Sequence, residues 1–541
     1  MTVGFFAWGK MQTTLSSRFN QQQVRAAALI FGVIGLTWIL AGWIVSRGTT
    51  DLVLGGLGVV ACAIVVSILN DWRSGFHLFL VWLLFEDLAR KYMGNNMLIY
   101  FGKDALVGVT YLSFFLAFRR GRVELFRPPF MLSLSLFFWL GVAQMFNPNS
   151  PSLLYGLLGL KLYFYYFPLI FVGYGLLRNE TDVRRFLWLN VSLGVLIALL
   201  GIVQAIRGLD FLNPQVLAPE LETLGRLTRM SPVTGQVLVA PPSVFVSAGR
   251  FAWYLILAWI MTMGALCYLL LRRGSRSLFA ILGLGVITGA AMLSGVRTSV
   301  VFIGGSALVM SAGFLWGAPW KWGQVHRLTK AIARGFGVAG ISLLFLFEFF
   351  PKTIGAHWSF YSETLSSEGP GSELEWRALG YPIKNLTAPF QSEDWPYGNG
   401  MGTSSLGVQY LSRLLGERPP PIGVESGFGT LVVELGILGP ILWIVLALSL
   451  LRSSWRVLRQ IKQSPLFPLG FSIFWFCFLV LFPFMYMSMS TYQNYVYNAY
   501  FWLLLGVLFR LPALTTSPGE FVAVAPTLRT APGPSSSRAT S

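Results

Sequence analysis

Hydrophobic runs of about 20 residues recur along almost the whole of this chain, and that recurrence leaves few folds open to it. A helix rising 1.5 Å per residue needs about 20 residues to cross the hydrocarbon of a bilayer. On that criterion about fourteen spans are expected. They run at approximately 26–46, 52–69, 75–88, 97–118, 129–146, 157–177, 186–206, 249–271, 277–294, 298–316, 332–350, 427–451, 467–487 and 495–510. Hydrophobic residues make up 55 % of the sequence and charged ones only 11 %, where a soluble chain carries about a quarter. The expected fold class is therefore an all-α polytopic membrane protein.

The basic residues are spaced to orient such a protein. Arg119, Arg120, Arg122 and Arg127 fall in one connection, and Arg178, Arg184 and Arg185 in the next but one. Arg272, Arg273 and Arg276 follow, then Lys321, Arg327, Lys330 and Arg334, then Arg452, Arg456, Arg459 and Lys462. All five clusters lie in even-numbered connections, which the positive-inside rule assigns to the cytoplasm. The N-terminal segment 1–25 is then cytoplasmic, and it lacks the short apolar core and cleavage site of a removable signal peptide. The tail 511–541, rich in Thr, Ser, Pro and Ala, reads as disordered and cytoplasmic. A formal charge of +18 is accounted for by these loops, so no nucleic acid partner is expected. Cys62, Cys267 and Cys477 sit inside apolar runs and the chain has three histidines, so neither a disulfide framework, a metal site nor a cofactor is expected.

The same topology puts two longer segments outside: 208–247 and, above all, 351–426. The latter separates the block of spans at 26–350 from the last three at 427–510. It mixes carboxylates, arginines, aromatics and glycines, which suits a shaped polar site better than a tether. No internal repeat is visible, which weighs against an inverted-repeat transporter.

Charges within an apolar layer are costly and usually face a cavity or a partner. Lys103, with Asp104, lies about two turns into the fourth span, Lys161 one turn into the sixth, and Arg250 opens the eighth. Arg297 occupies a tight turn between two spans, and Arg377 lies in the long segment. All belong to the outer side, where cations are least expected. Lys103 with Asp104 also reads as a self-compensating pair, and Lys161 as a snorkelling side chain. Converging guanidinium groups match a phosphate or diphosphate, whose oxygens they bind bidentately. Glu425 closes the long segment and reads either as a dipole partner for the next helix or as a general base. Gly398, Gly400 and Gly402, in PYGNGMGT, either wrap an anion with backbone N–H groups or make a tight turn.

Four stretches, in order, resemble a known family. They are SGVRTSVV around Arg297, EWRALGYPIKN around Arg377, YGNGMG, and VESGFGTLVVELGILGP around Glu425. KDALVGVTYLSFF and LLGLKLYFYYFPLIFVGY are looser matches. The pattern resembles the O-antigen ligases and polysaccharide polymerases of bacterial membranes. That resemblance implies a GT-C-like helical fold in the bacterial plasma membrane and an inverting, metal-independent glycosyltransferase. Its donor would be a glycan on a polyprenyl diphosphate and its acceptor a growing glycan, with other polysaccharide-assembly proteins as further partners. Arg297, Arg377 and Glu425 would be catalytic, and Arg250, Lys161, Lys103, Gly398 and Gly400 would bind substrate. Ligases of the family carry His-Asn where this chain has Glu425-Ser426, which favours a polymerase. A ligase and a flippase for lipid-linked oligosaccharide are the alternatives.

Overall fold

A helix can cross lipid because its backbone groups are satisfied within itself, and helices make up nearly all of the regular structure here. The computed structural model describes residues 49–214, 227–272, 277–320, 347–365, 375–391, 394–416 and 424–516, with scattered positions between 321 and 346. The segment 1–25, the expected first span, most of the eleventh and the tail beyond 516 lie outside the described residues.

The chain divides into two units, Met1–Gly75 and Phe76–Ser541. In the first, α1 (Thr49–Asn70) is followed by Asp71, which caps α2 (Trp72–Tyr92). The Asp71 carboxylate accepts the amides of Arg73 and Ser74 at 3.1 and 3.3 Å and the Ser74 hydroxyl at 2.7 Å. Such a cap satisfies donors that the first turn of a helix leaves open.

The second unit continues from α2 into α3 (Met97–Arg119), α4 (Met131–Met145), α5 (Leu153–Phe164), α6 (Leu169–Leu176) and α7 (Glu180–Arg207). Asn96, Ser152 and Asn179 cap α3, α5 and α7 through their side-chain oxygens. After a hairpin, β1 (Thr228–Met230) with β2 (Val237–Val239), come α8 (Ala248–Leu271), α9 (Ser277–Leu293) and α10 (Arg297–Gly317). The hairpin is antiparallel, with Arg229 opposite Leu238. Every residue in the apolar window of α8 is buried, which makes it the central helix, packed against α7, α9 and α10.

The segment 351–426 carries several short helices: α11 (Pro351–Leu365), a π-helical turn (Trp376–Gly380), α12 (Tyr381–Thr387), a 3-10 turn (Ala388–Gln391) and α13 (Val408–Leu415). The chain closes with α14 (Gly427–Leu435), α15 (Leu438–Gln460), α16 (Phe467–Leu481), α17 (Pro483–Met487), α18 (Met489–Gln493) and α19 (Tyr495–Thr516). Backbones of α6 and α19 touch. A Cβ at Gly173 would fall 2.2 Å from the Leu503 carbonyl, and one at Gly506 2.0 Å from that of Ile170. Small residues permit such approach between helices in lipid.

Among the described residues, eight helical segments are long and apolar enough to cross a membrane, and three more are shorter. The protein is thus an all-α membrane protein. Three expected spans differ in detail. The run 157–177 is two helices, α5 and α6, parted at Pro168, whose ring cannot continue the hydrogen-bond ladder. The run 427–451 breaks at Gly436, whose φ of +68° places a Cβ site 2.4 Å from the Pro396 carbonyl. Only α15 of that run has the length of a span. The run 467–487 is interrupted at Phe482, between α16 and α17.

Candidate functional site

Helix ends sort the polar groups into two sets. At one end, Glu180 opening α7 meets Tyr268 and Arg272 closing α8, at 2.7 and 3.2 Å. At the other, the end of α2 meets the starts of α3, α8 and α19 in a charge network. Asp87 is fully buried and accepts Arg250 at 2.8 Å, Arg90 at 3.1 Å and the Val246 amide at 3.3 Å. Glu86 faces Lys103 at 3.1 Å and Arg90 at 3.7 Å. Asp104 holds Lys161 at 2.6 Å and accepts the Tyr166 hydroxyl at 2.9 Å. Tyr100 and Tyr495 floor the network: the Lys103 ammonium stands 3.4 and 4.6 Å from their ring centres, and Arg250 lies 5.2 Å from that of Tyr495.

Lys103, Lys161 and Arg250 therefore converge as the sequence suggested, but through different partners. Lys103 and Asp104 are each paired with a residue of another helix. Four cations and three carboxylates share the network, and Lys91, bonded to the Ser243 carbonyl at 2.9 Å, adds a fifth cation beside it. Positive charge is in excess. Lys161 and Arg250 are its outermost members, with side chains 25 % and 26 % exposed, against 1 % for Lys103.

Arg297 and Glu425 lie at the same end, around a knot of rings. Trp253, Phe302 and Phe484 meet with centroids 4.7 to 6.3 Å apart, and the Tyr497 hydroxyl donates to the Trp253 carbonyl. Trp253 is three residues along α8 from Arg250, and Phe302 five along α10 from Arg297. At 1.5 Å per residue these are about 5 and 8 Å of helix. Phe484 precedes Met485, whose carbonyl lies 2.5 Å from a Cβ placed on Gly427. The backbone of Glu425 is held on both sides, its amide by the Asn385 side chain at 3.0 Å and its carbonyl by the Met489 amide at 3.3 Å. Its side chain is exposed.

The two loops expected on the outer side meet over the Arg297 turn. The Arg297 guanidinium stands 5.5 Å from the ring centre of Phe360 on α11, and His357 of the same helix bonds the Leu293 carbonyl at 2.9 Å. Gly295, at φ +66°, lies under the hairpin, with a Cβ site 2.7 Å from Leu238. Glu363 ties α11 to the hairpin turn by accepting Ser231, Val233 and Thr234 at 2.8, 2.8 and 3.3 Å. Desolvation pushes its pKa upward, but these hydrogen bonds outweigh it and hold the carboxyl below its ordinary value. Burial pushes the neighbouring Tyr361 phenol up.

The glycine-rich turn is clamped against helices. Gly398, Gly400 and Gly402 have φ of +77°, +94° and +86°, and their Cβ sites fall within 2.0 to 2.8 Å of Tyr155, Ser150 and Gly436 atoms. The amides of Gly398, Asn399 and Met401 donate to the carbonyls of Asp394, Val433 and Gln144. These three amides are thus engaged, one within the turn and two with the carbonyls of α14 and α4. Buried Glu434 completes the clamp, accepting the Ser404 amide at 3.0 Å, the Ser405 hydroxyl at 2.7 Å and the Tyr163 hydroxyl at 2.8 Å. Arg377 belongs to the π-helical turn; its side chain lies outside the described residues.

Sequence reasoning passed over Glu86, Asp87, Tyr100 and Tyr495. The spacing of Glu86 and Asp87 to Arg90, i to i+4 and i+3, was the available signal. No group of His, Cys, Asp and Glu suited to a metal occurs among the described residues. Comparison with known proteins gave no match: no family model fits the chain, and no curated protein or solved structure is detectably similar to it.

Proposed function

We propose that this protein is a polysaccharide polymerase, an inverting glycosyltransferase that joins polyprenyl-diphosphate-linked glycan units at the outer face of a bacterial plasma membrane. The observation that carries the reading is the excess of cations at the charge network, with Lys161 and Arg250 at its accessible rim. A diphosphate is the anion such a rim suits, since guanidinium and ammonium donors bind its oxygens by charge-assisted hydrogen bonds. The apolar helices around it suit the polyprenyl chain.

In the proposed reaction an acceptor hydroxyl attacks the anomeric carbon from the face opposite the diphosphate. The new carbon–oxygen bond forms as the bond to the diphosphate oxygen breaks, and the hydroxyl proton passes to the Glu425 carboxylate. Arg250 and Arg297 stabilise the charge gathering on the departing polyprenyl diphosphate. Asp87 and the Tyr495 ring keep Arg250 in place, and Phe360 does so for Arg297.

The test is to incubate purified protein with lipid-linked repeat units and look for ladders of polymer. Ladders that vanish with Arg297→Ala and Glu425→Gln support the proposal. Transfer only to an acceptor that carries no polyprenyl lipid would make the protein a ligase. Movement of lipid-linked units across vesicles without bond formation would make it a flippase, and either result overturns the polymerase reading.

A further inference from the structure

The opposite end of the bundle, remote from the charge network, carries a cleft that the proposed chemistry does not use. Thr181, Arg184, Arg185 and Trp188 stand at i, i+3, i+4 and i+7 on α7, which places them on one helix face. They line an open space of about 420 Å³. Beneath it, Arg184 and Trp188 pack towards α8 beside Leu187, Val191, Tyr268 and Leu269, with no room left for a solvent molecule. On its far side the Trp188 ring meets Phe279 of α9, with centroids 5.4 Å apart.

Charge at this cleft is poorly balanced. Glu180 reaches Arg184 only at 3.6 Å, and it is engaged more closely by Tyr268 and Arg272. Asp182 accepts the Arg178 amide. Among the described residues no carboxylate forms an ion pair with Arg185. A hydroxyl, two guanidinium groups and an indole thus line one open face of a membrane-spanning helix. Indoles favour the headgroup level of a bilayer, and basic pockets between spanning helices recognise anionic headgroups.

We infer that this cleft holds an anionic phospholipid, its phosphodiester between Arg184, Arg185 and Thr181, and an acyl chain along the Trp188 ring. The site stands apart from the polymerase proposal and survives its failure. A zwitterionic phospholipid presents the same phosphate with a cation beyond it, which the two arginines repel.

The full chain in detergent, incubated with phosphatidylglycerol or phosphatidylcholine and weighed by native mass spectrometry, tests the site. Phosphatidylglycerol should occupy it about tenfold more than phosphatidylcholine at equal concentration, since both offer the phosphate but only the second brings a cation towards the two arginines. Arg184→Ala with Arg185→Ala should bring phosphatidylglycerol down to the phosphatidylcholine level. Arg456→Ala with Arg459→Ala, on α15, should leave it unchanged. Equal retention of the two lipids by the unsubstituted protein overturns the inference, and needs no variant to fold. So does equal loss in both double variants, which would assign binding to diffuse surface charge. Glycerol 1-phosphate should not displace the lipid at matched concentration; displacement would make the ligand a soluble anion and overturn it as well.

Discussion

Asp87→Asn is the sharpest probe of the charge network. The substitution keeps the volume and one acceptor, but removes the charge that Arg250 and Arg90 share at 2.8 and 3.1 Å in a site with no exposed surface at Asp87. Breaking a buried ion pair from one side costs about 3–5 kcal/mol, because the partner stays behind uncompensated. Arg250 keeps a 26 % exposed side chain and can turn partly to water, which places the expected cost at the lower end, about 3 kcal/mol. The assay is reversible unfolding of the purified protein in mixed micelles, followed by helical signal, for Asp87→Asn, Arg250→Gln and the double variant. Removing both partners leaves less charge stranded, so the double variant should be more stable than the sum of the single losses predicts, by about 2 kcal/mol. Coupling below about 0.5 kcal/mol, the level of independent sites, would refute the claim that these charges hold each other.

Arg297→Ala and Glu425→Gln should lower polymerisation by about a hundredfold or more while melting temperature holds, and Arg297→Lys should rescue little, since an ammonium lacks the fork of a guanidinium. Gly402→Ala should abolish activity and lower stability, because its φ is +86° and a Cβ would stand 2.0 Å from the Tyr155 carbonyl; Gly285→Ala, in open space on α9, should be tolerated. Glu363 has a depressed pKa, so its tie to the hairpin contributes fully above the ordinary value of 4.5 and is lost as pH falls through the lower folded value. Protease protection of the hairpin should therefore fall in acid for the unsubstituted protein, and Glu363→Gln should flatten that dependence.

The long apolar runs announce their helices directly, because length and composition are local properties. Breaks inside those runs are harder to read. Pro168 was a visible signal for the division of α5 from α6, whereas Gly436 ends α14 for a tertiary reason, the Pro396 carbonyl against its Cα. The convergence of Lys103, Lys161 and Arg250 was legible from the cost of placing charges in lipid. Their partners were not, since nothing local to Lys103 favours Glu86 over the adjacent Asp104. The bonds of Glu434 had no local signal, since the groups it meets, Ser404, Ser405 and Tyr163, come from distant parts of the chain.

The contact of α19 with α6 also carries a consequence for biogenesis. Tyr495, against which Arg250 and Lys103 rest, sits on α19, which follows every other described helix in the sequence. While the earlier helices are already threaded into the bilayer, the cations lack that ring and α6 lacks its neighbour. The charge network is therefore complete only once α19 has been laid in beside them.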